Sequence, residues 1–310
     1  MKVVFMGTPE FAVTTLDALL HSRHEVLAVF TRADTPKNRG MKMLPPPVKI
    51  RALEAGIQVY QPATLRGAEC EETLRALAPD VIVVAAYGRI VPPGILALPK
   101  YGCINVHASL LPAYRGASPI ATAIARGETR TGVTIMQMNE GLDTGDMLLR
   151  ETVEIGESET FGALQERLAQ IGAQALLNVL DKAERGELAP QRQDDSAASY
   201  APLIKNQDAF VSFAGDSCAA ACAIRAYDPA PGAFGFLGEE KIKLYGAQAV
   251  PQTGGPAPCG SIVDVGKQGV VVQCTQGCVR IAQVQGAGGK KMPADAFFRG
   301  HGALLKERFR

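Results

Sequence analysis

VIVVAAY, residues 81–87, is apolar at nearly every position. A strand with one face in water alternates apolar and polar side chains, whereas a strand covered on both faces does not. The run therefore predicts a strand of a parallel sheet with helices on either side. Moving outward, the same texture recurs. Upstream, KVVFMG is a short β run. PEFAVTTLDALLHS follows with helical spacing at Phe11, Leu16, Leu19 and Leu20, and Pro9 suits its first turn. HEVLAVFTR is a second strand, VKIRALEAG a short helix closed by Gly56, and IQVYQ a further strand. A Leu/Ala helix lies around 69–77. Downstream come CINVH (103–107), the helix ASPIATAIARG, the strands GVTIMQM and MLLRETVEI, and the long helix TFGALQERLAQIGAQALLNVLDKAERG. Strand alternating with helix in this way predicts an α/β domain over 1–188, built on a doubly wound, mostly parallel sheet.

The texture then changes. GELAPQRQDDSAASYAP is polar and carries Pro, Ser and Ala, so 189–204 reads as an interdomain linker. From 205 to 310, short β runs separated by Gly, such as KIKLYGAQAV and GSIVDVGKQGVVVQCTQGCVRIAQVQ, predict a second, smaller antiparallel β-barrel of OB-like type.

Composition bounds the function classes. A chain of 310 residues, 47% apolar and 20% charged, can bury a real core. No apolar run reaches the roughly 18 residues that span a bilayer. MKVVFMGTPEF enters a strand at once, which leaves no room for a secretory signal. The expectation is a cytoplasmic protein without a membrane partner. Its seven cysteines are odd in number and scattered, which reads as buried reduced thiols rather than disulfides. The pairs Cys218/Cys222 and Cys274/Cys278 read the same way rather than as zinc ligands. Up to Leu203 there are 20 basic and 23 acidic residues; from Ile204 onward there are 12 and 8. The last third therefore leans basic, as a nucleic-acid contact surface would.

In open parallel sheets, ligands bind beyond the carboxyl ends of strands. CINVH ends at such a place, and Asn105 and His107, two apart, point to one face. The turn Ser109-Leu110-Leu111-Pro112 follows as a wall. GLDTGD (141–146), just after GVTIMQM, brings Asp143 between two glycines from the adjacent strand end, where its carboxylate can orient His107. Singly, these residues read as a polar cap, a turn former and a loop residue. Together, amide, imidazole and carboxylate suit direct acyl transfer from one bound substrate to an amine on another, with Asn105 donating to the oxyanion and His107 moving a proton. No serine or cysteine has the strand–turn–helix setting of an activated nucleophile. GxGxxG is absent, so a nicotinamide-dependent dehydrogenase fits poorly.

INVHASLLPAYRGASP together with GLDTGD resembles the folate-dependent formyltransferases, which share an Asn-x-His strand end, SLLP and a downstream Asp. Supporting stretches are VVFMGTPEFA, RGMKMLPPPVKI, VIVVAAYGRIVP and GKKMPADAFFRG, so the likeness covers nearly the whole chain. The loop and C-terminal motifs point to the branch acting on aminoacylated tRNA. The resemblance implies a Rossmann-like first domain and a barrel that helps hold tRNA. It implies formyl transfer from 10-formyltetrahydrofolate to the α-amine of initiator methionyl-tRNA, by a monomer without a metal. It assigns catalysis to Asn105, His107 and Asp143, and folate binding to Ser109, Leu110, Leu111 and Pro112. It assigns tRNA contacts to Lys37, Arg39 and Lys42 in a long cationic loop, and to Lys290 and Lys291. Three departures bear on tRNA contact: Met41 where a lysine is usual, Ala230 where the family often has Trp, and Leu203 where a lysine is common. Two alternatives stay open on the residues: a formyltransferase acting on a small amine, and a non-catalytic RNA-binding protein.

Overall fold

The computed structural model describes residues 1–37, 42–252, 255 and 257–310. Contacts divide it into two compact units. The first comprises Met1–Ala117, Gly132–Val153 and Gln165–Tyr200, and the second Ser118–Thr131, Glu154–Leu164 and Ala201–Arg310.

The first unit is built on a seven-stranded sheet. From one edge the order is Met147–Glu154, Arg130–Gln137, Cys103–His107, Val81–Ala85, Lys2–Gly7, Glu25–Phe30 and Val59–Tyr60. The last five of these pair in parallel. Val81, Ile82, Val83, Val3, Val4 and Phe5 have no exposed surface, so both faces of the central strands are covered. The unbroken apolar run at 81–85 is thus explained: each side chain enters a core, on one face or the other. Arg130–Gln137 runs the other way. It pairs antiparallel with the strand Cys103–His107, Ile104 opposite Gln137 and His107 opposite Thr134.

The helix Pro119–Ala125, which the sequence suggests belongs to the α/β domain, packs in the second unit against the helix Ser217–Ala226. Both helices are rich in alanine, and small side chains let helix backbones approach closely. Asp216 caps the second, its carboxylate accepting from the amides of Cys218 and Ala219. Within that helix Cys222 is buried but Cys218 is exposed. Cys70 and Cys259 are half-buried, so the buried-thiol expectation holds only for Cys103, Cys222, Cys274 and Cys278.

The rest of the second unit is an antiparallel sheet ordered Ala233–Leu237, Glu240–Val250, Cys278–Gln285, Gly269–Gln273 and Ile262–Gly266. Its two edges are joined by residues 308–310. On one edge Arg310 and Phe236 exchange backbone hydrogen bonds, both 2.8 Å. On the other, Phe309 N donates to Gly260 O at 2.9 Å, and Arg308 bridges Ser261. Gly260 has φ +83, and a Cβ there would lie 2.1 Å from Phe309 O. Closure of this kind removes sheet edges that would otherwise invite pairing with other chains. The Phe309 ring enters the core, 5.3 Å from Phe213. Phe309→Ala should therefore cost about 3–5 kcal/mol. Urea unfolding of the full chain checks this; a midpoint equal to that of the parent would show that Phe309 does not hold the closure.

Candidate active site

The strand Cys103–His107 carries the site. Asn105 is half-buried, and among the described residues no protein group hydrogen-bonds its side chain. Its amide is therefore available to a ligand. His107 is buried. Its Nε2 lies 3.0 Å from Tyr114 O. A carbonyl only accepts, so Nε2 carries the proton of this bond. Nδ1 is then the nitrogen that gains or loses a proton, and it faces Asp143 Oδ2 at 3.8 Å. At that distance the contact is electrostatic, longer than a hydrogen bond. The Asp143 carboxylate is held instead by Gly116 N, which donates to Oδ2 at 2.8 Å.

The sequence places Asp143 at a neighbouring carboxyl strand end, and the structure corrects the route. Because Arg130–Gln137 is antiparallel, it leaves the sheet beside the amino end of Cys103–His107. The loop after it must turn back along the sheet, roughly 10 Å at about 3.3 Å per residue, to reach His107. Three features make that turn. Asn139 Oδ1 accepts from Gly141 N at 3.0 Å and from Thr144 Oγ1 at 2.8 Å. Asp143 adopts φ +54, a left-handed conformation that Asp tolerates better than most residues. Gly145 packs its backbone onto Gln137, where a Cβ would sit 1.7 Å from the carbonyl oxygen.

The turn after the strand is tightly held. Ser109 Oγ donates to Ala113 O at 2.6 Å, and Thr134 Oγ1 donates to Ser109 O at 2.7 Å. Leu111 N donates to Thr134 Oγ1 at 3.1 Å. Ser109 and Leu111 are fully buried, while Leu110 and Pro112 are partly exposed. The Ser109 hydroxyl is thus committed to the turn rather than poised for attack. Cys103, on the same strand, is no nucleophile either. Burial pushes its thiol up to about 12, and its Sγ lies 3.7 Å from Ile95 O. Noncovalent acyl transfer remains the chemistry these groups can support.

The other sequence candidates scatter. Lys37 and Lys42 are backbone partners in a short antiparallel ribbon, Thr35–Lys37 with Lys42–Leu44, where the sequence suggests an unstructured loop. Arg39 and Met41 lie outside the described residues. Lys290 is exposed. Lys291 is engaged within its own unit, Nζ 3.5 Å from Asp228 Oδ1 and 4.1 Å from the centre of the Tyr245 ring. Leu203 is exposed, and Ala230 lies in the turn Asp228-Pro229-Ala230-Pro231, where Asp228 O accepts from Gly162 N at 3.0 Å. Tyr114 and Gly116 are site residues that the sequence reading missed. Both act through backbone groups, which leave no residue-type signal, although AYRG sits inside the motif that carried the resemblance. Among the described residues no cluster of three metal-ligating side chains occurs.

The Formyl transferase family profile matches residues 1–180, and the Formyl transferase, C-terminal domain profile matches 203–302. The chain is 46% identical over 312 residues to the methionyl-tRNA formyltransferase of Citrifermentans bemidjiense, covering 99% of this chain and 97% of that protein. It is 47% identical over 309 residues to the methionyl-tRNA formyltransferase of Aromatoleum aromaticum, covering 100% and 97%. The fold also resembles HypX from Aquifex aeolicus in complex with tetrahydrofolic acid, with a TM-score of 0.67 at 19% identity, covering 99% of this chain and 48% of that one. On these matches the chain belongs to the formyl transferase family.

Proposed function

We propose that this protein transfers a formyl group from 10-formyltetrahydrofolate to the α-amino group of methionyl initiator tRNA, acting as a cytoplasmic monomer. The observation that carries the reading is the site on Cys103–His107, an amide without a partner among the described residues beside a histidine facing Asp143. The near-full-length identity to two proteins named methionyl-tRNA formyltransferase supports the choice of amine. The folate-bound HypX structure supports the choice of donor. The first unit, which includes 165–200, would carry the chemistry, and the second unit the tRNA contacts. Among the described residues no helix is long and apolar enough to cross a membrane.

The amine attacks the formyl carbon, and a tetrahedral centre forms with negative charge on its oxygen. Asn105 donates to that oxygen, a role worth about 3–4 kcal/mol in comparable sites. The attacking nitrogen must lose a proton and the folate N10 must gain one as its bond to carbon breaks. Nδ1 of His107 is the protein group placed to relay that proton, because Nε2 is tied to Tyr114 O. The Asp143 carboxylate stands 3.8 Å from Nδ1 and keeps that edge of the ring turned toward it. The products are the formylated amine and tetrahydrofolate, with atoms and charge balanced. Ser109, Leu110, Leu111 and Pro112 would form the folate wall, the two buried residues by shaping it and the partly exposed Leu110 and Pro112 by contact.

The direct test incubates the protein with 10-formyltetrahydrofolate and methionine-charged initiator tRNA. Formyl-methionine on the tRNA is the expected product. Formylation of free amines in preference to charged tRNA would overturn the reading. Arg39, Lys37, Lys42 and Lys290 are proposed phosphate contacts, with Lys291 contributing once it leaves Asp228. Arg39→Ala should lower the slope of log affinity against log salt by roughly one unit. An unchanged slope in a binding titration would remove Arg39 from the contact.

A further inference from the structure

The segment whose composition reads as a linker is built into the catalytic site of the first unit. Gln193, nearly fully buried, donates through Nε2 to two carbonyls of the Asp143 loop, Asp143 O at 2.8 Å and Gly145 O at 2.7 Å. Its Oε1 accepts from Arg115, Nε at 3.1 Å and Nη2 at 2.8 Å. The amide orientation is fixed by its partners: carbonyls need a donor and a guanidinium needs an acceptor. Both donors and both acceptor directions of the side chain are then used. Arg115 is itself buried and is tied by Nη2 to Asp195 Oδ1 at 2.7 Å.

The same segment also holds the histidine side. Ser199 Oγ accepts from Tyr114 N at 2.9 Å, and Tyr114, at φ +61, presents the carbonyl that takes His107 Nε2. Ser199 O accepts from Arg115 N at 2.8 Å, one residue before Gly116, whose N–H holds Asp143 Oδ2. Gln191 exchanges backbone hydrogen bonds with Met147, which anchors the strap at the far end of the loop. His107 and Asp143 thus hang from one strand of chain, 191–199, by separate sets of bonds.

We propose that Gln193 is a positioning residue for formyl transfer: it clamps the backbone of the Asp143 loop and so sets the separation of Asp143 from His107, with Ser199 fixing the His107 side. This role presupposes the formyl-transfer reading above. Its logic is geometric. The 143–145 backbone is folded back along the sheet in a left-handed turn, and the buried Gln193 amide grips both ends of that turn. Glutamate at 193 could still satisfy Arg115 but would set an acceptor against two carbonyls, which repel it.

The test compares Gln193→Glu and Gln193→Ala with the parent chain. Both variants should lose at least about tenfold in kcat, because small misplacements of a catalytic group are costly. KM for tRNA and for the folate donor should stay within about twofold. Combined with Asp143→Asn, Gln193→Ala should add little further loss, since residues acting through one another are not additive. A purely structural role predicts instead that the losses multiply. Amide exchange gives a readout independent of activity: the Gly116 N–H should exchange at least about tenfold faster in Gln193→Ala, while Arg115 N–H stays protected. A variant with parental kcat, multiplicative losses, or unchanged Gly116 protection would each overturn the proposal. If the parent chain fails to formylate charged tRNA, the reading of function falls, and Gly116 exchange alone decides whether Gln193 holds the loop.

Discussion

Alanine at Asn105 or at His107 should cut formyl transfer by at least about 10²-fold while leaving tRNA affinity nearly unchanged. The two losses have different origins. Among the described residues no protein group hydrogen-bonds the Asn105 side chain, so its removal should fall on the oxyanion rather than on the fold. His107→Ala removes the buried imidazole that faces Asp143 and, with it, the hydrogen bond from Nε2 to Tyr114 O. Single-turnover rates at saturating tRNA, alongside a binding titration, separate chemistry from association. Near-parental rates in either variant would dismiss the assigned role. A matching loss of tRNA affinity would instead show that the residue serves the substrate's docking.

Gly145→Ala, two residues from the catalytic carboxylate, is expected to be nearly as damaging. A Cβ at 145 would lie 1.7 Å from Gln137 O, a contact that forces the loop off the sheet edge. The same displacement pulls Gly145 O and Asp143 O away from Gln193. Turnover should fall by about 10²-fold, since Asp143 would no longer lie against the imidazole. Overpacking should also cost about 1–3 kcal/mol in stability. Steady-state kinetics and urea unfolding report the two effects separately. Full turnover in a destabilised protein would mean that the loop position is not what keeps Asp143 in register.

Much of the first unit was legible in the chain. The runs at 2–7, 25–30 and 81–85 each became a strand because buried parallel strands must be largely apolar on both faces, and few other structures demand that. Asn105 and His107 were legible because a strand sends residues two apart to one face. The helix Pro119–Ala125 was recognised as a helix, but its membership of the second unit was not. Helical spacing records that one face is buried, not which partner buries it. Barrel closure by Phe309 was equally silent, because the pairing partners of 308–310 lie some 50 and 70 residues away.

What the sequence by itself determined is the chemistry available: an amide and an imidazole on one strand face, a carboxylate between two glycines, and the turn Ser109–Pro112 beside them. What only the tertiary structure decided is how the carboxylate arrives. Arg130–Gln137 runs antiparallel, so Asp143 reaches His107 through a loop folded back along the sheet and held by Gly145, Gly116 and Gln193. The physical reason is that strand direction is set by hydrogen bonding between distant segments. A polar segment such as 189–204 shows its solvation preference in its composition, while the buried bonds that Gln193 and Ser199 make appear only when those segments meet.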